Sequence, residues 1–474
     1  PPRSSLFPYT TLFRSASDNN GAANGRGGGI YLGNITHNID IIDCNFTNND
    51  VTSDNIDGGA GVYVGKGITG NVNCIDSMFI NNTANSKGAG LFLYSGNGNN
   101  KVNVTNSVFT NNSGATEGAG LFVGWAMGSI DIDNSEFIGN SITTSTGTGG
   151  GAIFVGDNNR YLNLKDDSFI NNTASNGNGA GVYIIGGTDF DYDVSVVRCN
   201  FTNNDVGKTG GAICLNYNGR PIGNFNCTQS NFIDNDAGGN GGAIYIQNVK
   251  NNKEFIVSSS NFTDNDAANG GAIYCTVNSP KIYSSNFTNN SASGNQAGYG
   301  GAIYFTGNGA VVNDSCFKDN DASKCGGAIA ITGSNANIAY CDFTSNSVDE
   351  GGAAVYLTGS NDIINHSNFT NNTAQFGGAL YLCGDGSNIN DCSFTENEAT
   401  QTNGGAIFLN AGNTVIDNSE FVDNVAAGDG NAIWVASGSS NTISSSNFTG
   451  VKHIYVDSPA EVTLSNNKEL STQD

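Results

Sequence analysis

The chain has 474 residues, with 66 Gly, only 6 Pro and 13% charged residues, a balance that excludes Glu/Lys-laced coiled coils and, without a three-residue Gly period, collagen. Its 18 Lys and Arg stand against 42 Asp and Glu, a net charge of −24 that repels phosphate backbones, so nucleic acid is not an expected partner. No run approaches the roughly 18 apolar residues of a membrane-spanning helix, and no basic-then-apolar export signal opens the sequence, so one is expected outside it.

Residues 1–15, PPRSSLFPYTTLFRS, resemble translated adapter read-through and match nothing that follows, so they are set apart from the fold. Beyond them a Phe-x-x-Asn unit recurs from Phe46 to Phe448, fifteen times, at intervals of 25 to 33 residues. The Asn follows three residues after each Phe except the last, where Val451 stands. Between units sits Gly-Gly-Ala followed by aliphatic, aromatic, aliphatic, as in Gly241-Gly242-Ala243-Ile244-Tyr245-Ile246.

Aligned on the Phe, the units show columns. Two residues before it stand Ser or Cys (Cys44, Ser77, Ser107, Cys199, Cys341), with Asp167 the exception, and five before it an aliphatic residue or Cys (Ile41, Cys74, Val312, Ile338). The Gly-Gly-Ala segments add aliphatics spaced by two, such as Ile303 with Phe305, the period of a strand face. Each unit thus offers three short strands that cannot bury their apolar face alone, and stacking the units in register solves this as an all-β, single-stranded, right-handed parallel β-helix. The spacing predicts about 15 coils, a rod of roughly 70 Å at ~4.8 Å per coil, one domain over residues 16–474, and an asparagine ladder along Asn49, Asn82 and Asn112. After a partial coil with Val462 and Leu464 a carboxyl-terminal continuation is expected. Unpaired strand edges there imply end-to-end self-association.

The paired Gly-Gly-Ala-(Ile/Leu/Val) and Phe-x-x-Asn motifs resemble the repeats of the chlamydial polymorphic outer-membrane proteins, and the Asn-rich acidic character is similar to adhesin-like proteins of methanogenic archaea. The resemblance covers about residues 27–456. It implies a pectin-lyase-like solenoid, an extracellular or cell-surface location and an adhesin role. No alternating strands of a membrane barrel follow Phe448, a departure from the chlamydial pattern.

The same scaffold carries polysaccharide lyases and hydrolases, so the densest carboxylate group is the alternative site: Asp189, Asp191 and Asp193, spaced by two on one strand face, with Arg198 nearby and Asp166 and Asp167 one coil earlier. A solvated acidic edge is the plainer reading. His37, His366 and His453 lie many coils apart and cannot converge, so no metal and no cofactor is expected. Cys44, Cys74, Cys199, Cys227, Cys341 and Cys392 occupy inward columns as small hydrophobes, and with eleven cysteines and no CxxC spacing free thiols are expected.

The column between the two aliphatics is aromatic from Tyr31 to Trp434, broken at Cys214 and Ala330. If the aliphatics face in, period two turns these rings out as an exposed stripe. Tyr245, Tyr274, Tyr304, Tyr356 and Tyr381 are the residues expected to bind, as a platform for sugar rings or a partner surface. The expected function is a cell-surface adhesin-like binding or structural protein without catalysis, and the alternative is a polysaccharide-active enzyme.

Overall fold

The computed structural model describes residues 11–14, 27–33, 37–51, 58–96, 98–125, 127–143, 148–157, 159–186, 192–215, 222–247, 249, 253–294, 298–450 and 452–469. They fall into two compact units, Pro1–Glu254 and Phe255–Asp474. Each is a right-handed parallel β-helix, the hand that parallel crossovers adopt almost without exception. Among the described residues all regular structure is strand or turn.

A coil of the second unit runs through Ile303–Phe305, Val311–Asn313, Cys316–Lys318 and Asp321–Ala322. The next lies parallel to it in register, pairing Ile303 with Ile329, Val312 with Ile338, Phe317 with Phe343 and Ala322 with Val348. In the first unit the corresponding strands are Leu121–Trp125, Ser129–Asp133, Glu136–Ile138 and Ser141–Ile142. The coil therefore has four strands where three were expected. The fourth is two residues long, too short for a period to register. Its trace in the sequence is an apolar residue or Gly, most often Ala, five after each Phe except the last, such as Ala84, Ala174, Ala322 and Ala399, all buried. The segment set apart on composition also contributes an edge strand, Thr11–Arg14, whose backbone pairs with Cys44–Thr47.

At Gly300-Gly301 the two glycines of Gly-Gly-Ala serve different ends. Gly300 sits at φ +67°, a left-handed conformation that glycine adopts without strain, and a Cβ there would stand 2.1 Å from the Ile303 carbonyl oxygen. A Cβ on Gly301 would stand 2.0 Å from the Gly327 carbonyl oxygen of the next coil. The left-handed first position is Gly in coil after coil, whereas the second is Ala in others, as at Gly59-Ala60 and Gly352-Ala353.

The interior is built from ladders of like residues. Phenylalanines stack nearly parallel, with ring centroids 4.7 Å apart for Phe109 and Phe137 and 4.9 Å for Phe317 and Phe343. Each such pair adds about 0.5–1.5 kcal/mol beyond its burial. Left-handed residues bracket each Phe strand, for example Asp314 (φ 54°) and Asp319 (φ 55°), and beside each runs a buried polar ladder. Within the asparagine ladder the amide atoms of Asn320 are all satisfied: its Nδ2 donates to Asn346 Oδ1 and to the Phe287 carbonyl, 3.0 Å each, while its Oδ1 accepts the backbone N–H and Nδ2 of Asn290. Such closure is what makes buried amides tolerable. In the small-residue ladder the Ser285 N–H donates to Ser315 Oγ at 3.1 Å, and Ser315 Oγ donates to the Asn313 carbonyl.

Candidate functional site

The aromatic column lies on the outer face of the Gly-Gly-Ala strands, and the two units treat it differently. In the first unit Tyr63, Phe92, Phe122 and Phe154 stack face to face, with centroids 4.8, 4.7 and 5.1 Å apart. They are buried rather than exposed, Phe92 and Phe122 being 1% accessible. The cover comes from side chains beyond the strand core. Tyr94 packs on Phe92, Trp125 meets Tyr94 edge-on at 5.3 Å, and Lys87 Nζ lies 5.2 Å from the centre of the Phe122 ring. Tyr245 belongs to this unit and is buried as well.

In the second unit Tyr274, Tyr304, Tyr356 and Tyr381 are half-buried. Their rings meet at steep angles: Tyr274 and Tyr304 at 5.3 Å and 82°, Tyr381 and Phe408 at 5.0 Å and 75°. Burial pushes all four phenols above their usual range. They remain neutral hydrogen-bonding groups at physiological pH. Beyond Tyr31, which is 52% accessible, the uniform exposed stripe is thus replaced by a covered column in one unit and a partly open ridge in the other.

Sequence reasoning missed Tyr299. Its ring lies 5.5 Å from Tyr304 and 6.0 Å from Tyr356, beside Ala330, the gap in the aromatic column, with Lys324 Nζ 5.3 Å above it. Phe376 caps Tyr381 in the same way at 5.0 Å. The available signal was an aromatic residue just before Gly-Gly in a column otherwise of small or polar residues: Tyr299, Cys325, Gly351 and Phe376 form one bridged ladder.

The alternative, acidic site is not assembled among the described residues. Asp189 and Asp191 lie outside them. Asp193 opens the strand Asp193–Val197 and Arg198 follows its end, so the two stand roughly 16 Å apart at ~3.3 Å per residue. The Arg198 guanidinium grips both oxygens of Asp166 at 2.7 and 2.8 Å, which holds that carboxyl below the usual range. Asp193 Oδ1 accepts the Asn224 N–H at 2.7 Å.

Asp167 joins the serine ladder. Its Oδ1 accepts the Ser135 N–H at 2.8 Å and its Oδ2 the Lys165 N–H at 2.9 Å, while burial pushes its pKa up to about 7. None of the eleven cysteines is joined in a disulfide. Burial pushes the thiols of Cys74, Cys214, Cys275, Cys341 and Cys392 up to about 12, so they are packing groups and not thiolate nucleophiles. His366 stacks on Tyr340 at 4.8 Å and lies 3.6 Å from Asp391. Among the described residues no group of three or more His, Cys, Asp or Glu is arranged to hold a metal ion, and no helix is long and apolar enough to cross a membrane.

Residues 326–469 match the family model described as right handed beta helix region, and residues 229–247 and 259–276 match the repeat of the Chlamydia polymorphic membrane proteins. No curated protein and no solved structure matches the chain.

Proposed function

We propose that this chain is a cell-surface, adhesin-like binding protein that recognises glycans or a partner's surface through the tyrosine ridge of the second unit. The observation that carries the reading is the ridge itself: half-buried Tyr304, Tyr356 and Tyr381, extended by Tyr299 and Lys324, repeat an aromatic face coil after coil. Sugars lay their apolar C–H faces on such rings and bond their hydroxyls to phenols, and Tyr supplies a rigid contact at low entropic cost. The polymorphic membrane protein repeats support an extracellular or outer-surface location. Repetition favours many weak equivalent contacts, strong only toward polymeric or surface-displayed ligand.

Replacing Tyr304, Tyr356 and Tyr381 together by Ser should reduce adhesion to glycan-coated surfaces while the far-ultraviolet β signature persists. Unchanged adhesion by the folded triple variant would remove the ridge from the binding surface.

A further inference from the structure

The first unit carries a second, differently built feature outside its Gly-Gly-Ala sheet: a cleft of about 360 Å³ lined by Lys87, Glu117, Phe122, Trp125, Phe154, Gly156, Asp157 and Ile185. Its origin is a mismatch of strand lengths. Leu121–Trp125 has five residues, but the next strand in the ladder, Ile153–Val155, has three. The neighbouring coil stays packed on this strand only as far as Gly156, whose N–H bonds the Val123 carbonyl and where a Cβ would stand 2.8 Å from the Gly124 carbonyl oxygen. Trp125 is left as a wall, 42% accessible, with space beside it instead of a stacked partner.

The polar lining is prearranged. Lys87 Nζ bonds Glu117 Oε2 at 2.7 Å, and Thr148 Oγ1 donates to Glu117 Oε1 at 2.8 Å, so the carboxylate is held from two sides within a ladder of coil edges. The charge of Lys87 is matched by Glu117, and Asp157 adds a further carboxylate to the lining.

We propose that this cleft binds a single neutral pyranose unit of a glycan, stacked on Trp125, with its hydroxyls donating to the carboxylates of Glu117 and Asp157 and accepting from Lys87. An indole that shares a cleft with charged hydrogen-bonding groups suits a ring with one apolar face and a hydroxylated rim, and the volume lies in the range of small-ligand sites. The lining carries two carboxylates, Glu117 and Asp157, to the one ammonium of Lys87, a balance that disfavours hexuronates by like-charge repulsion. The proposal takes from the functional reading above only that the ligand is a glycan, since the ridge shares none of these residues.

The chain has two tryptophans, so the full chain carrying Trp434→Phe reports on Trp125 alone. Titration with methyl glucoside, N-acetylglucosamine, their β-1,4-disaccharides and glucuronate should give a saturable change in tryptophan emission for a neutral sugar and none for the uronate. By calorimetry on the otherwise unaltered chain, Trp125→Ala should weaken that binding by about tenfold or more, with hydrogen-exchange protection of the coil retained. Glu117→Gln, which leaves Lys87 unmatched, should reduce discrimination against the uronate. Silence toward every neutral sugar at millimolar concentration, or a preference for the uronate, overturns the proposal. If the cleft is silent while the Tyr304/Tyr356/Tyr381 variant loses adhesion, the cleft proposal alone fails; a binding cleft with an adhesion-competent triple variant removes the ridge instead.

Discussion

One sequence column produces two surfaces. From Tyr63 to Phe154 in the first unit its rings lie flat on one another under Tyr94, Trp125 and Lys87, whereas in the second unit they tilt and stay half in solvent. Strand length explains part of the contrast. The strands that carry Phe92 and Phe122 in the first unit run to five residues, ending at Ser95 and Trp125, whereas those that carry Tyr274, Tyr304, Tyr356 and Tyr381 in the second stop at three. The added residues supply Tyr94 and Trp125, whose rings lie over the column. Where the strands are short in the second unit, the residue before Gly-Gly, Tyr299 or Phe376, packs against the column instead. Outward position along a strand is therefore not the same thing as exposure.

The sharpest test of this contrast compares core with column. Phe109→Ala and Phe343→Ala remove fully buried rings from equivalent ladders, and each should cost about 3–5 kcal/mol, with hydrogen-exchange protection lost first in the coils on either side. Unequal losses would mean that the two cores, and not only their covers, differ.

A smaller and unequal pair should follow in the aromatic column. Phe122→Ala is expected to cost about 3 kcal/mol and Tyr356→Ala about 1 kcal/mol, because the half-buried ring surrenders less apolar area. Equal losses by denaturant unfolding of the two variants would show that the cover over Phe122 contributes no stability.

The smallest effect is one of pH. Asp167 in the first unit has its pKa pushed by burial up to about 7, and Asp362 in the second, buried with Oδ1 accepting the Ala336 N–H, is pushed up to about 6. Both lie above the unfolded value near 3.9. The neutral acid is the form the fold prefers, so its contribution is complete below about pH 4 and declines as pH rises, ending near pH 7 for the first unit and near pH 6 for the second. Asp167→Ser, which restores the ladder residue, should flatten the pH dependence of hydrogen-exchange protection around Phe169 between pH 5 and pH 7 and leave the coils around Ile364 unchanged. A variant that keeps the parental slope would assign the titration to other groups.

The repeat made the fold legible because a solenoid writes its own register. A Phe every 25 to 33 residues, an Asn three places later and an aliphatic five places earlier leave only one arrangement in which like side chains meet, and the phenylalanine and asparagine ladders form at those positions. The two-residue strand escaped because alternation needs more than two residues to be seen, although its alanine column was present. Arg198 and Asp193 were close in sequence yet stand at opposite ends of a strand, since a β-strand spends ~3.3 Å on every residue. What lies over the outward column was the part that composition and period left open. Burial of Phe122, the ring of Tyr299 filling the gap at Ala330 and the space beside Trp125 all depend on how far one coil overhangs the next. That overhang is set between residues about 30 positions apart, where the repeat dictates only the inward side chains. Sequence alone therefore determined the interior of this protein, because identical neighbours must satisfy one another there, and tertiary structure decided its surface, where non-identical loop and edge side chains compete for the same outward rings.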